Sequence, residues 1–142
     1  MPIITPTIHF NGKCGEAIEL YQKAFDAQVK YLFRYTDRNE ADWSDPIPAG
    51  QEHFIYHAEI TIGDRRIMMG DDPALDSVRD NAAFLTVTFD CADDVKAAYE
   101  AIVNGGGTIL YPMQSTTYSS CMGSVIDKFG VRWGLMTEQT ER

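Results

Sequence analysis

The chain runs twice through the same order of secondary-structure signals: a strand, a helix, a second strand and a hairpin. Such an internal duplication indicates two copies of one supersecondary unit, and it constrains the fold more than any single motif does. The sequence therefore predicts an α+β domain of two βαβββ modules, whose mixed sheets curl around a shared cleft. Within a single domain, 1–142, we place module 1 at about 1–72, a linker at about 73–81 and module 2 at about 82–138.

The segments of each half are recognised by their hydrophobic period and by the turn residues between them. In the first half they are a strand Ile3–Phe10, a helix Gly15–Ala27, a strand Gln28–Thr36 and a hairpin of His53–Ile62 with Arg65–Met69. In the second half they are a strand Ala83–Phe89, a helix Asp90–Asn104, a strand Thr108–Tyr111 and a hairpin of Gly123–Ile126 with Val131–Met136. Segment 37–51 has no period, which is typical of either a functional lid or a disordered loop.

The charge and the cysteines narrow the choice of partner and compartment. With 12 basic and 21 acidic residues, the formal net charge is −9, and such a surface repels nucleic-acid phosphates and anionic lipids. We therefore expect no nucleic-acid and no membrane partner. Cys14, Cys91 and Cys121 form neither an even set nor a CxxC pair, which argues against disulfides and a structural zinc site. With no visible secretory signal, these features indicate a cytoplasmic protein.

Three segments, in order, resemble the PhnB-like branch of the glyoxalase/bleomycin-resistance/extradiol dioxygenase (vicinal oxygen chelate) superfamily. The opening PTIHFNGKCGEAIELYQKAF is similar to that branch's strand, Asn-Gly turn and AIxxYxxxF helix. Residues 57–71 are similar to its HAxLxIGxxxIMxSD segment, and residues 123–133 to its GxVxDxFGxxW ending. The resemblance covers nearly the whole chain. It implies paired βαβββ modules, a homodimer, and a cavity for a small molecule inside each curled sheet.

Metal-dependent members of this superfamily hold a divalent ion with His and Glu side chains. The resemblance places the four ligand positions on Pro6, on Met68 or Met69, near Phe84 and on Gly134. None of these side chains offers the carboxylate or imidazole that Mg²⁺, Mn²⁺ or Zn²⁺ prefers. We therefore expect the fold without its usual metal and without another cofactor.

The same resemblance supplies two candidate catalytic residues, His57 and Asp71. His57 matches the branch's recurrent histidine, and an imidazole titrates in the range that suits proton transfer. Asp71 matches the aspartate after the IMM strand. Structural roles suit both residues as well: a hydrogen-bonded sheet histidine for His57, and a cap on the turn at Pro73 for Asp71.

Five further side chains are candidates for contact with a small-molecule ligand. Aromatic groups and sulfur suit an apolar cavity, although they suit core packing equally well. These candidates are Phe84, Tyr111, Tyr118, Cys121 and Trp133.

Three functions fit these observations. The first is a protein of unassigned activity that binds a small organic molecule without a metal. The second is a metal-dependent lyase or isomerase that uses an atypical site of His57, Glu59 and Asp71. The third is a bleomycin-type sequestering protein, whose acidic surface attracts cationic drugs. Relatives of this branch sometimes carry a methyltransferase name. A Rossmann-like cofactor site needs a glycine-rich loop after its first strand, whereas here no such loop follows the opening strand and Gly105–Gly107 follows a helix. The sequence therefore gives that name little support.

Overall fold

The computed structural model describes residues 2–39, 45–75 and 83–138. It divides into two compact units, Met1–Asp76 and Ser77–Arg142. The described residues of each unit form one α-helix and one four-stranded sheet, and the first unit also contains a short 3₁₀ helix, Tyr35–Asp37. The predicted α+β class and the two βαβββ modules are confirmed. Parts of segment 37–51 and of the linker 73–81 lie outside the described residues. No helix in the described part of the chain is long and apolar enough to cross a membrane.

In the first unit the strands follow the order β1-β4-β3-β2, with β1 parallel to β4 and the other pairs antiparallel. Two edges therefore remain, at β1 and at β2. The elements are β1 (Thr7–Phe10), α1 (Cys14–Phe25), β2 (Gln28–Arg34), β3 (Ile55–Ile62) and β4 (Arg65–Asp71).

Helix α1 covers one face of this sheet because its apolar residues recur at three- and four-residue spacing. Ala17, Ile18 and Tyr21 are buried, as is Phe25 at its end. The helix packs on β3 and β4, whose buried side chains alternate along each strand. It ends where Asp26 adopts a left-handed conformation with φ 55°.

The second unit repeats this frame with strand order β5-β8-β7-β6 and the same parallel and antiparallel pairs. Helix α2 packs on β7 and β8, and its C-terminal turn uses Gly106 at φ 98°. The elements are β5 (Leu85–Phe89), α2 (Ala92–Asn104), β6 (Thr108–Thr116), β7 (Ser119–Ile126) and β8 (Arg132–Thr137).

A buried carboxylate holds the turn between β7 and β8. Asp127 accepts hydrogen bonds from the backbone N–H groups of Phe129 and Val131 on Oδ1, at 2.9 and 3.0 Å. Its Oδ2 accepts one from the indole Nε1 of Trp133 at 3.0 Å. Because these donors satisfy the carboxylate, the DKFG turn fixes Trp133 in the core of the second unit.

Several predicted boundaries were wrong. Strand β1 begins at Thr7, four residues after the predicted Ile3, and further differences lie at β4, β6 and β7. Strands β6 and β7 form one long hairpin that turns at Thr117-Tyr118, so β6 continues to Thr116 and β7 begins at Ser119. Pro112 and the many hydroxyl residues between 112 and 122 hid this hairpin, but an edge strand such as β6 tolerates proline. Strand β4 also extends two residues beyond the predicted Met69, to Asp71.

Candidate functional site

In each unit, the helix covers one face of the sheet and leaves the other face uncovered. We call the uncovered face of the first unit the first open face, and that of the second unit the second open face. Paired residues of neighbouring strands lie on the same face, and residues along a strand alternate between faces. The first open face carries Thr7, His9, Tyr31, Phe33, His57, Glu59, Arg66 and Met68.

An ion pair fills the middle of the first open face. The Arg66 guanidinium donates from Nε to Glu59 Oε1 at 2.6 Å and from Nη2 to Oε2 at 3.2 Å. The hydrogen bond and the charge of Glu59 together raise the pKa of Arg66. Both carboxylate oxygens of Glu59 are therefore engaged by a cation that belongs to the chain itself.

The candidate His57 lies on this face, opposite Phe33 in the register of β2 and β3. It is half-buried. The rings of Tyr31 and Phe33 stack beside it, with centroids 6.5 Å apart and planes at 9°. His57 is thus grouped with aromatic side chains and with the Glu59–Arg66 ion pair.

The candidate Asp71 lies on the other side of the sheet, towards helix α1. Its Oδ1 accepts the backbone N–H of Cys14 at 3.0 Å, and its Oδ2 accepts that of Ile55 at 2.9 Å. Its carbonyl oxygen accepts the Tyr35 hydroxyl at 2.9 Å. The turn cap that the sequence offered for Asp71 belongs to Asp72, whose Oδ1 accepts the Ala74 N–H at 2.9 Å.

Asp71 also acts on the acidity of its neighbours. Burial, and then the Asp71 charge, raise the pKa of the Cys14 thiol far above its usual value. The same two causes, in the same order, raise the pKa of the Tyr35 phenol. Because a thiol is nucleophilic only as its thiolate, Cys14 is suited to packing and not to covalent chemistry.

The atypical metal set therefore does not converge. His57 and Glu59 share one face of the sheet, Asp71 lies on the other, and Glu59 is bonded to Arg66. Within residues 2–39, 45–75 and 83–138, no three His, Cys, Asp or Glu side chains are grouped so that they could hold a metal ion. The superfamily's usual positions offer no better donors, because Met68 and Gly134 stand at equivalent places on β4 and β8. The described residues do not fit the superfamily's ion.

The second open face has small side chains at its centre. Ser124 on β7 pairs with Gly134 on β8, which pairs with Thr86 on β5. A Cβ on Gly134 would come within 2.9 Å of Thr86 Oγ1, so the position accepts no larger residue without a shift. Larger residues surround this pair on the same face: Phe84, Tyr111, Met122, Arg132 and Met136. We call this arrangement the hollow.

Ser124 is only 4% exposed, yet its hydroxyl has no hydrogen-bond partner among the described residues. No fully enclosed side-chain oxygen or nitrogen there lacks a partner, so the Ser124 oxygen must retain a small opening to the surface. A hydroxyl that is both nearly buried and unpaired is unusual, because buried polar groups are generally satisfied. The Ser124 oxygen is therefore a polar group on this face whose hydrogen bond is not supplied by the described residues.

Three of the five predicted ligand-contact residues lie on the second open face or beside it. Phe84 and Tyr111 lie on the second open face, 40% and 55% exposed. Tyr118 lies in the β6–β7 turn, and its hydroxyl donates to the Met122 sulfur at 3.5 Å. Cys121 and Trp133 are buried on the face that α2 covers, and Trp133 is bonded to Asp127. We therefore do not include these two in the hollow.

Ser124 and Arg132 are not among the site residues predicted from the sequence. The period-two pattern of the last hairpin contained the necessary signal. Val125 and Trp133 are apolar core residues, so their chain neighbours must lie on the opposite face. Small residues among those neighbours indicate an accessible surface, but only the register shows that they pair across strands.

Comparison with known proteins agrees with this architecture. Residues 2–136 match the family model described as 3-demethylubiquinone-9 3-methyltransferase. Protein YjdN of Escherichia coli (strain K12) is 29% identical over 140 residues, which cover 94% of this chain and 92% of that protein.

Solved structures are similar over nearly the whole length. Protein PA1353 from Pseudomonas aeruginosa has a TM-score of 0.80 at 24% identity, covering 97% of this chain and 98% of that one. A PhnB protein from Bacillus cereus, described as a putative 3-demethylubiquinone-9 3-methyltransferase, has a TM-score of 0.73 at 27% identity, covering 96% and 99%. A glyoxylase/bleomycin resistance protein/dioxygenase domain from Frankia sp. EAN1pec is similar in fold alone, with a TM-score of 0.67 at 10% identity, covering 97% and 92%.

Proposed function

This chain belongs to the 3-demethylubiquinone-9 3-methyltransferase family, in the PhnB-like branch of the glyoxalase/bleomycin-resistance/dioxygenase superfamily, and we propose that it binds a small organic molecule in the hollow without a metal ion. The observation that carries this proposal is the Ser124 hydroxyl, which lies beside Gly134 at the centre of the second open face and has no hydrogen-bond partner in the described part of the chain. Apolar sites with a few well-placed polar groups are typical of small-ligand binding.

The surrounding side chains support a ligand with an apolar body. Met122 and Met136 pair directly across β7 and β8, and both are half-buried. Methionine adapts its shape to different ligands, and the exposed ring of Tyr111 offers a flat apolar surface. Phe84, directly before β5, extends this surface.

The donor chemistry supports binding without the superfamily's ion. Pro6, Met68, Phe84 and Gly134 supply neither carboxylate nor imidazole at the positions that the resemblance assigns to the metal. Elemental analysis after incubation with Mn²⁺, Ni²⁺, Zn²⁺ and Mg²⁺, followed by dialysis, should find no stoichiometric ion. One retained ion per chain would contradict this part of the proposal.

Methyl transfer is not part of the proposal, although the family is named for it. A Rossmann-like cofactor site needs a glycine-rich loop between its first strand and helix, with free amides at the helix start. Here β1 is joined to α1 by Asn11-Gly12-Lys13, and the first helical amide, at Cys14, is bonded to Asp71.

Ligand binding in the hollow can be observed through the methionine methyl groups. With ¹³C-methyl methionine, a screen of small organic fragments should shift the signals of Met122 and Met136 saturably. Met69 serves as the matched reference, because it is 1% exposed and lies against α1 in the first unit. A screen in which no fragment moves Met122 or Met136 would reject the hollow as a ligand site.

We further infer that the chain acts in the cytoplasm as a homodimer, and that β2 contributes to the interface. This edge strand presents Val29, Tyr31 and Phe33 to solvent, with Tyr31 57% exposed. An apolar edge strand tends to pair with another chain. Sedimentation at micromolar concentration should show a dimer. Tyr31→Asp should weaken this dimer, whereas the control Gln28→Asp, on the same strand, should not. A monomeric wild type would contradict the inference.

A further inference from the structure

The hollow contains one cation, Arg132, that no acidic side chain among the described residues neutralises. Arg132 lies two residues before Gly134 on β8, and so on the same face. Its guanidinium carbon stands 5.7 Å from the centre of the Phe84 ring. A guanidinium that stacks on a ring keeps its in-plane N–H groups available, and these groups match a carboxylate in a two-pronged geometry.

Arg132 has no acidic partner in the part of the chain that the structure describes. The ion pairs there involve Lys13, Arg65 and Arg66. This is notable in a protein with 21 acidic residues and a formal net charge of −9. An unpaired cation in such a chain attracts an anion from outside, and a half-buried one does so with less screening by water.

The internal duplication indicates what that anion is. On the first open face, Glu59 pairs with Arg66, and Arg66 opposes Thr61 in the register of β3 and β4. On the second open face, Arg132 opposes Ile126, two residues beyond Ser124. Ser124 and Arg132 therefore occupy the positions of Glu59 and Arg66 in the repeated frame.

The difference between the two pairs is one carboxylate. Where the first half places the side chain of Glu59 beside its arginine, the second half places a serine that is too short to fill the same space. The Ser124 hydroxyl is left without a partner among the described residues, as is the charge of Arg132. A ligand carboxylate can accept a hydrogen bond from the hydroxyl and from the guanidinium at once.

We propose that the hollow takes a small organic carboxylate whose charged group lies between Ser124 and Arg132 and whose apolar body lies on Met122, Met136 and Tyr111. The inference rests on the proposed function of the same site and adds the chemical class of its ligand. It also predicts the opposite preference to a protein that sequesters cationic drugs.

Three probes of nearly the same shape test the charge preference: benzoate, neutral benzamide and cationic benzylammonium. Benzoate should shift the methyl signals of Met122 and Met136 saturably and bind at least tenfold more tightly than the other two. High salt should weaken the binding of benzoate and leave that of benzamide unchanged. Equal binding of benzoate and benzamide, or preference for benzylammonium, would overturn the carboxylate while leaving the hollow as a ligand site.

Arg132→Gln should reduce benzoate affinity at least tenfold without changing that of benzamide. Lys128→Gln is the matched control, because Lys128 also lies over a ring, that of Phe129 at 5.2 Å, but in the β7–β8 turn. It removes the same charge from the chain and should leave benzoate binding unchanged. If Arg132→Gln does not fold, Arg132→Lys takes its place, because lysine keeps the charge. We expect Arg132→Lys to retain part of the affinity for benzoate and all of its salt dependence.

The outcomes separate the two proposals. If neutral fragments move Met122 and Met136 but benzoate does not, the carboxylate is wrong and the ligand site stands. If benzoate binds equally well to wild type and Arg132→Gln, the assignment to Arg132 is wrong. If neither the three probes nor a fragment library moves these methyl groups, both proposals are rejected.

Discussion

At the end of its last strand the first half of the chain carries Asp71, and the second half carries Thr137 at the equivalent position. Asp71 pairs with Phe10 across the parallel strands, and Thr137 pairs with Phe89 in the same way. The backbone frame is thus repeated, whereas the polar group at its end is not. A duplicated fold conserves strand pairing and leaves each copy free to satisfy its buried polar groups differently.

The two groups are satisfied by different hydrogen-bond partners. The Asp71 carboxylate holds two backbone N–H groups, one at the start of α1 and one at the start of β3. The Thr137 hydroxyl instead belongs to a neutral cluster, 3.0 Å from the Ser119 hydroxyl and 2.6 Å from that of Ser120. A charge that ties two elements together is harder to replace than one hydroxyl among several.

The largest expected effect follows from this contrast. Asp71→Ala leaves two buried N–H groups without a partner, and each such group costs about 1–3 kcal/mol. We expect the free energy of unfolding to fall by about 2–6 kcal/mol, measured by urea denaturation. Thr137→Val keeps the shape and removes one hydroxyl, and it should cost about 1–2 kcal/mol.

Asp72→Ala is the control for the first variant, because Asp72 caps an exposed turn one residue away. It should change stability by about 0.5 kcal/mol or less. If Thr137→Val costs as much as Asp71→Ala, the two strand ends are equally important and the contrast between the halves is wrong.

The fold could be predicted from the sequence, but the hydrogen-bonding role of Asp71 could not. The order of strands and helices was readable because hydrophobic period and turn residues repeat in both halves. The role of Asp71 could not be predicted, because Asp71 and Asp72 are adjacent acidic residues before Pro73. Only the length of β4 decides which of the two faces α1. The hydroxyl cluster could not be predicted either. It depends on the pairing of strands whose polar residues do not show a strand pattern in the sequence, and its members are Ser119, Ser120 and Thr137.

The two open faces differ in whether their arginine has an acidic partner. Glu59 neutralises Arg66 on the first open face, which leaves that arginine satisfied within the chain. On the second open face, Ser124 stands at the position of Glu59, and Arg132 has no acidic partner within residues 2–39, 45–75 and 83–138. The exchange of these two residues between the halves is therefore a direct test of the comparison.

Ser124→Glu should supply the missing carboxylate from within the chain and abolish benzoate binding in the hollow. Glu59→Ser should release Arg66 and create a weak benzoate site on the first open face, reported by the methyl group of Met68, which pairs with Glu59. We expect an affinity change of at least tenfold in the first variant, equivalent to about 1.4 kcal/mol.

Glu59→Gln is the matched control for the new site, because the amide keeps the size of the side chain and still occupies the space beside Arg66. It should give a smaller shift of Met68 with benzoate than Glu59→Ser does. Unchanged benzoate binding in a folded Ser124→Glu variant would show that the two arginines are not equivalent.

The smallest expected effect concerns alkaline pH and is confined to the first half, where burial and the charge of Asp71 raise the pKa of the Cys14 thiol. The unfolded chain releases this proton near pH 8.5 and the folded chain keeps it, so the folded state binds more protons and its stability falls as pH rises. The loss begins near pH 8.5 and has a slope of at most about 1.4 kcal/mol per pH unit. Urea denaturation at several alkaline pH values should show a shallower loss in Cys14→Ala than in wild type. Parallel curves would mean that the thiol ionises in the folded state as easily as in the unfolded one, and that Asp71 does not distinguish the first half in this respect.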